Sequence, residues 1–156
     1  MDRGDVYSFM RRCRYGVVSS MSEEGHPQSA LVGIAVTEGL EIVFDTLNSS
    51  RKYRNLTQRP SCSLVVGWDG EQTIQYEGIA TEHKGQDLKR YQEAYFAVWP
   101  DGVVHACWPG IAYFVVRPTW IRYSDYDQRP PLIEEFAFAP DTRGLSASPV
   151  PLEESL

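Results

Sequence analysis

The chain has 156 residues, of which 42% are apolar and 23% charged, and its net charge is −6. This composition is typical of one globular domain with a buried core, and the acidic balance argues against general nucleic-acid binding, which favours a basic surface. No run approaches the roughly 20 apolar residues of a membrane-spanning helix, and the N-terminus does not resemble a secretory signal. The sequence therefore predicts a cytoplasmic protein with no nucleic-acid or membrane partner.

The first third of the chain has the periodicity of one short helix followed by strands. The predicted elements are a helix over residues 6–12 and strands over residues 14–21, 28–37 and 40–44. Residues 31–36 are nearly continuous in apolar character, which suggests burial on both faces or a second face that meets a ligand. Gly33 interrupts this run, and a glycine inside a strand is often placed where a cofactor or another backbone comes close.

The rest of the chain alternates further strands with helices. The predicted elements are helices over residues 49–58 and 84–98, strands over residues 61–68, 73–81, 111–117 and 120–123, and a short apolar piece over 132–138. Residues 103–110 are predicted to be irregular. About six short strands in mostly hairpin order favour a closed antiparallel barrel with helices at its edges. We expect one domain over residues 1–139 and a mobile or partner-docked tail over residues 140–156.

A basic, hydroxyl-rich corner follows the strand that ends near Phe44. Its side chains, together called the cradle, are Thr46, Ser49, Ser50, Arg51 and Lys52. Ser49 or Ser50 is suited to cap the next helix, whose first N–H groups attract an anion. Cations in a first helical turn oppose the helix dipole, so a bound anion would explain their placement. The corner is therefore predicted to bind a phosphate group.

Several ordered motifs carry a resemblance to a known family. They are Gly25-His26-Pro27, Phe44-Asp45-Thr46, Ser50-Arg51-Lys52, Asn55-Leu56, Arg59-Pro60, Ser63-Leu64-Val65-Val66 and Tyr76-Glu77-Gly78-Ile79-Ala80. In this order they resemble the pyridoxamine 5′-phosphate oxidase-like split barrels. The resemblance implies a mainly β fold with flanking helices, a six-stranded antiparallel split β-barrel of the FMN-binding type. It also implies a homodimer with flavin at the subunit interface.

The resemblance assigns roles to particular residues. Ser50, Arg51 and Lys52 would hold the FMN phosphate, and Asp45 and Thr46 would end the strand beside the flavin. Thr73 falls where a polar side chain reaches the ring. The strand expected along the isoalloxazine ring contributes Ala30, Leu31, Val32 and Gly33.

The chain also departs from true pyridoxamine phosphate oxidases. Those enzymes carry Arg at the position of Ala30, Lys at the position of Ala35, and a C-terminal Arg-x-His, whereas residues 120–127 here contain no His. The vitamin substrate is therefore not expected. Trp108 and Arg122 are candidates for a substrate pocket, although Arg122 can equally lie on the outer barrel face. Asp125 and Asp127 are expected in a solvated turn, and no catalytic acid or base is identified.

Two other kinds of site are not expected. The cysteines and histidines are scattered singly: Cys13, Cys62, Cys107, His26, His83 and His105. This spacing predicts unpaired thiols and no metal site.

The function that fits best is FMN-dependent hydride transfer with a small organic substrate or a reduced nicotinamide. A deazaflavin cofactor and a non-catalytic flavin-binding or sensor module are the alternatives.

Overall fold

A computed structural model describes residues 1–140. Within them the chain forms four helices and eight strands, whose bounds are α1 Arg3–Met10, β1 Tyr15–Met21, β2 Pro27–Gly33, β3 Ala35–Val36, β4 Ile42–Leu47, α2 Arg51–Gln58, β5 Ser61–Val66, β6 Gln72–His83, α3 Gln86–Val98, α4 Gly102–His105, β7 Ile111–Asp125 and β8 Leu132–Ala137. None of these helices has the length and apolar character needed to cross a membrane. Apart from Pro140, the predicted tail lies outside the described residues.

All strand pairs are antiparallel and run in the order β2-β1-β5-β6-β7-β4-β3, with β8 paired to β7. The prediction of an antiparallel, mainly β barrel with flanking helices is confirmed, but the count of six strands is wrong. The strand predicted over residues 28–37 breaks at Ile34, whose N–H donates to the carbonyl of Arg14. The apolar piece near the C-terminus also pairs, as β8.

One long strand replaces two predicted strands around Pro118. Proline lacks an N–H and usually interrupts a ladder, which is why two strands were predicted. In the structure the register between β6 and β7 shifts at Glu77 and Gly78, opposite Pro118. Because the register shifts there, the ladder continues without a hydrogen bond from the backbone nitrogen of Pro118, and β7 runs from Ile111 to Asp125. Gly78 is required there, because a Cβ atom would lie 2.5 Å from the carbonyl oxygen of Arg117.

The barrel interior is aromatic and aliphatic. Its fully buried members include Phe44, Tyr76 and Phe114. The hydroxyl of Tyr76 lies 2.9 Å from the carbonyl oxygen of Leu40 and 2.8 Å from that of Val116, so the buried O–H is satisfied. Residues of α1 also belong to this core, which shows that α1 closes part of the barrel.

A second apolar cluster lies outside the barrel. It joins α3 to the outer face of β3, β4 and β7 through Ala35, Val43, Tyr91, Tyr95, Tyr113 and Val115. The segment predicted to be irregular contains α4, a single turn that follows α3. Together α3 and α4 cover the outer face next to the end of β4.

Candidate functional site

The cradle forms where β4 ends and α2 begins. Thr46 is the penultimate residue of β4 and is only 7% exposed. Its hydroxyl lies 2.9 Å from that of Ser50. Ser50, rather than Ser49, caps α2, and its hydroxyl oxygen accepts from the N–H of Tyr53 at 3.2 Å. The cap leaves the first N–H groups of the helix available, because they have no intrahelical partner.

The two cations of the cradle occupy different environments. Arg51 is exposed, whereas Lys52 is half-buried. Burial lowers the pKa of Lys52, and the negative charge of Asp45 acts in the opposite direction. Hydroxyls, helix amides, a guanidinium and an ammonium thus lie within one short segment. This donor set is suited to a phosphate group.

Asp45 and Thr46 face opposite sides of β4. Asp45 lies directly opposite Tyr113 of β7, and its carboxylate accepts a hydrogen bond from the hydroxyl of Tyr95 at 3.1 Å. Burial raises the pKa of Asp45, while the Tyr95 hydrogen bond and the positive charge of His105 oppose that shift. Thr46 therefore joins the hydroxyl pair of the cradle, and Asp45 lies on the side covered by α3.

The strand expected along the flavin ring alternates between two environments. Ala30 and Val32 pack against the core of the barrel. Leu31 points outward and is 61% exposed. A Cβ atom on Gly33 would come within 2.9 Å of the Trp99 ring, whose Nε1 donates to the carbonyl of Ile34 at 3.1 Å. Trp99 therefore covers the end of β2 at Gly33, whereas the part of β2 around Leu31 is exposed to solvent.

Thr73 lies far from the cradle of its own chain. Thr73 pairs with Ser124 near the end of β7, whereas Thr46 pairs with Ala112 near its start. Ala112 and Ser124 are twelve residues apart on β7, and a strand advances about 3.3 Å per residue. One chain therefore does not bring Thr73 to its own cradle.

The two candidate pocket residues also lie apart. Trp108 is about half exposed and follows α4. Two residues later, the carbonyl of Gly110 accepts from the N–H of Asn48, so the Trp108 segment borders the connection between β4 and α2. Arg122 lies near the other end of β7, and its Nη1 is 3.2 Å from an oxygen of Glu135 on β8.

The expectation of a solvated turn at Asp125 is wrong. Asp125 is 3% exposed. Its carboxylate accepts from the side-chain amides of Gln72 and Gln128 and from the N–H of Asp127. These hydrogen bonds, with the one from Gln128 foremost, lower the pKa of Asp125. The strand pairing of β7 carries this residue further into the fold than its turn-like sequence suggests.

A cavity of about 440 Å³ was not predicted from the sequence. It lies between the end of α1, the start of β1 and the turn from β5 to β6. Its lining residues are Phe9, Arg12, Cys13, Arg14, Tyr15, Gly67, Trp68, Asp69 and Gln72. Gln72 precedes Thr73, and Tyr15 pairs with Gly33, so the cavity adjoins two residues expected near the flavin. The only signal in the sequence was an aromatic residue beside a turn, which is too common to identify a cavity.

No cluster of three or more His, Cys, Asp or Glu side chains suited to a metal ion occurs within residues 1–140. Tyr95 and His105 are neighbours of Asp45 that no pattern in the sequence indicated. Both follow the strand by about 50 residues or more, and only the packing of α3 and α4 brings them to it.

Comparison with known proteins gives a family and a fold. A family model for pyridoxamine 5′-phosphate oxidase matches residues 5–125. No curated protein matches the chain. The fold is similar to that of a heme binding protein from Mycobacterium smegmatis, with 15% identity and a TM-score of 0.74 over 88% of this chain and 58% of that one. The chain thus spans less than two thirds of the mycobacterial protein.

Two other solved structures are similar over nearly their whole length. A pyridoxamine 5′-phosphate oxidase-related, FMN binding protein from Nostoc punctiforme has 13% identity and a TM-score of 0.62, over 87% of this chain and 94% of that one. The General Stress Protein 26 from Bacillus anthracis has 18% identity and a TM-score of 0.65, over 87% of this chain and 100% of that one. At such identities the likeness is one of fold.

Proposed function

The chain belongs to the pyridoxamine 5′-phosphate oxidase family, and on this premise we propose that it binds FMN and acts as an FMN-dependent oxidoreductase. The observation that carries the proposal is the Thr46–Ser50 hydroxyl pair at the start of α2, followed at once by Arg51 and Lys52. The FMN binding relative from Nostoc punctiforme has the same fold, which supports this choice of cofactor.

The residues of the chain have defined tasks in this proposal. Ser50, the first amides of α2, Arg51 and Lys52 hold the phosphate. The strand from Ala30 to Gly33 supports the ring, and Leu31 lies on the solvent-exposed part of this strand. FMN supplies hydride exchange when it is bound, so the protein needs to orient the ring and exclude water rather than provide a dedicated acid or base.

A second copy of the chain would complete the site. Thr73 and Arg122 lie far from the cradle of their own chain, and a C2 homodimer would let them reach the flavin held by the partner. One sheet face also exposes large apolar side chains, with Leu31 on β2 and Val65 on β5. A partner would cover this face, which otherwise presents apolar area to water.

The substrate proposed is a small organic molecule other than pyridoxamine phosphate. Ala35, which stands where the family's enzymes carry Lys, is buried beside α3 and offers no ammonium group to a substrate. The cavity beside Thr73 has the size of a small-molecule site and combines Trp68 and Tyr15 with the cation of Arg12. Of the two candidate pocket residues, Arg122 lies at the same end of β7 as this cavity, whereas Trp108 lies beside the cradle and would border a substrate or a reduced nicotinamide held there only from a second copy of the chain.

Three alternatives remain to be separated from this function. A deazaflavin could use the same phosphate cradle. A non-catalytic flavin-binding or sensor module is favoured by the departures from the substrate site of true pyridoxamine phosphate oxidases, such as the absence of His from residues 120–127. Heme binding is suggested by the mycobacterial relative alone.

The deciding experiment is to purify the protein, record its visible spectrum and identify the released cofactor by mass. We expect the two visible bands of an oxidised flavin and the mass of FMN. The holoprotein should then oxidise NADH or NADPH in the presence of an electron acceptor. A heme spectrum would contradict the cofactor, and tight FMN binding without nicotinamide oxidation across many acceptors would favour the binding module.

A further inference from the structure

A second cavity that the sequence did not indicate lies beside the start of β4, whereas the cradle follows the end of this strand. Its volume is about 590 Å³. Its walls come from the first turn of α1, the hairpin before β4, the first half of α3, β6, β7 and the segment after β8. We call it the arginine cavity, because three arginines line it in a chain whose net charge is −6. Its charged and titratable side chains are Arg3, Glu41, His83, Arg90, Tyr91 and Arg117.

Arg3 is held in place by the end of β8 and the residue that follows it. Its Nη2 donates to the carbonyl of Ala137 at 3.3 Å, and its guanidinium lies 4.4 Å from the centre of the Phe138 ring. Arg3 is also the first residue of α1, where a cation opposes the helix dipole. A bound anion beside the guanidinium would offset this unfavourable placement.

Arg90 is held in place by its neighbour on α3. Its guanidinium lies 4.4 Å from the centre of the Tyr91 ring, and its Nη2 donates to the hydroxyl of Tyr91. That hydroxyl donates in turn to the carboxylate of Glu41 at 2.8 Å. The other oxygen of Glu41 accepts from the hydroxyl of Thr37 at 3.2 Å. The carboxylate in the cavity lining is therefore satisfied by two hydroxyl groups and does not pair with an arginine among these contacts.

No carboxylate of the described chain neutralises Arg3 or Arg90. Within residues 1–140 neither guanidinium has a carboxylate oxygen at ion-pair distance, and each makes one side-chain hydrogen bond. A guanidinium has five N–H donors, and its planar fork matches a carboxylate or a phosphate. Most donors of these two side chains are therefore available to an acidic ligand.

We propose that the arginine cavity binds a small anion with two acidic groups, which are carboxylates or phosphates. Arg3 holds one acidic group and Arg90 the other, because the two guanidinium groups are fixed on separate walls by Phe138 and Tyr91. A volume of about 590 Å³ lies in the range of small-molecule sites. Arg117 lines the same cavity and adds to its positive charge.

This binding site is independent of the proposed flavin site. None of the residues that line the arginine cavity belongs to the cradle or to the strand expected along the ring. A ligand in the cavity connects α1, α3 and the hairpin before β4, which are distant in sequence. Binding should therefore also raise the thermal unfolding temperature, because only the folded chain forms the site.

The test measures binding by isothermal titration calorimetry at constant ionic strength. The probes are pyrophosphate, the dicarboxylates from malonate to adipate, and acetate as the anion with a single acidic group. The full chain is titrated with and without saturating FMN, because FMN would occupy the cradle. Arg3→Ala combined with Arg90→Ala removes both proposed ligands. Arg11→Ala combined with Lys89→Ala is the matched control, since it removes two exposed cations from the same two helices outside the cavity.

We expect the wild-type protein to bind at least one diacid probe tenfold or more tightly than acetate. Whether pyrophosphate or a dicarboxylate binds best identifies the acidic group. The Arg3 and Arg90 double variant should lose at least tenfold in affinity for that probe, whereas the matched control should stay within threefold. Saturating FMN should leave the affinity unchanged. The comparison of diacids with acetate holds on the wild type even if the double variant does not fold.

Four results would overturn the inference. They are no binding of any diacid probe by the wild type at millimolar concentrations, equal affinity in the wild type and the Arg3 and Arg90 double variant, an equal loss in the matched control, and displacement of the diacid by FMN. An equal loss in the control would show an effect of net charge, and displacement by FMN would place the anion in the cradle. A protein that binds the diacid but no flavin would overturn the proposed function and leave this inference intact.

Discussion

The hydroxyl of Thr46 lies 2.9 Å from the hydroxyl of Ser50, and this contact joins the end of β4 to the first turn of α2. It links a barrel strand to a helix cap, so the position of the helix start is set by the sheet. The first prediction follows from the capping role of Ser50.

Ser50→Ala should lower the free energy of unfolding by about 1 kcal/mol, because the N–H of Tyr53 loses its acceptor. Urea denaturation followed by circular dichroism measures the loss. Ser49→Ala is the matched control, since Ser49 is exposed and does not cap the helix. Equal losses for the two variants would contradict the capping assignment.

Arg51→Ala combined with Lys52→Ala should weaken FMN binding by more than about 100-fold while the protein stays folded. Each cation is expected to supply a charge-assisted hydrogen bond of about 1.5–3 kcal/mol to the phosphate. Fluorescence titration with FMN measures the affinity, and thermal unfolding checks the fold. Arg54→Ala, an exposed cation in the same helix, should retain wild-type affinity. An unchanged affinity in the double variant would remove the cradle assignment.

Tyr76→Phe should destabilise the barrel by about 1–3 kcal/mol. The variant keeps the ring but leaves the buried carbonyls of Leu40 and Val116 without the shared hydroxyl. Tyr126→Phe, at an exposed position, serves as the control and should change stability by less than about 0.5 kcal/mol. The measurement is the urea midpoint of each variant, compared with the wild type at unchanged slope. Equal midpoints for Tyr76→Phe and Tyr126→Phe would show that the hydrogen bonds of Tyr76 have no net effect on stability.

Asp125→Asn should lower stability at pH 7 and have a diminishing effect in acid. Hydrogen bonds depress the pKa of Asp125 in the folded protein below its usual value of 3.8. The ionised group therefore stabilises the fold above that value, and the contribution is lost as the pH falls through the folded pKa. The difference in unfolding free energy between variant and wild type should therefore stay constant above pH 3.8 and narrow as the pH falls below it. Asp127→Asn, at an exposed position two residues away, is the matched control.

Leu31→Glu should convert the proposed homodimer into monomers, because it places a charge among the exposed apolar side chains of the open sheet face. Sedimentation velocity measures the oligomeric state. Val104→Glu introduces the same charge at an exposed position on α4 and should leave the dimer intact. A wild-type protein that sediments as a monomer with FMN bound would contradict the dimer itself.

Much of the fold was predictable because its signals are local. The alternation of residues 61–66 and the helical period of residues 86–98 each depend on neighbours in sequence, and the structure forms β5 and α3 there. The motif order predicted the family, which the match over residues 5–125 confirms. Pro118 misled the prediction, since the bulge that accommodates it lies 40 residues away at Gly78.

The parts of the site that could not be predicted depend on packing between distant segments. The contact between Thr46 and Ser50 is the exception, because these residues are only four apart, where a predicted strand leads into a predicted helix. Tyr95 reaches Asp45 only because α3 folds back over the outer face of β4. Whether Trp99 covers Gly33 likewise depends on where α3 ends, and no periodicity in the sequence contains that information.

The length and position of β7 also bear on how the nascent chain folds. β7 pairs with β4, β6 and β8, yet it begins only at Ile111. Until that segment leaves the ribosome, the outer edges of β4 and β6 have no partner and can pair with other chains. Barrel closure must await synthesis beyond Asp125, and because these strand pairings are non-local we expect folding to be slow. Chains that terminate before Ile111 should therefore aggregate rather than form a smaller soluble fold.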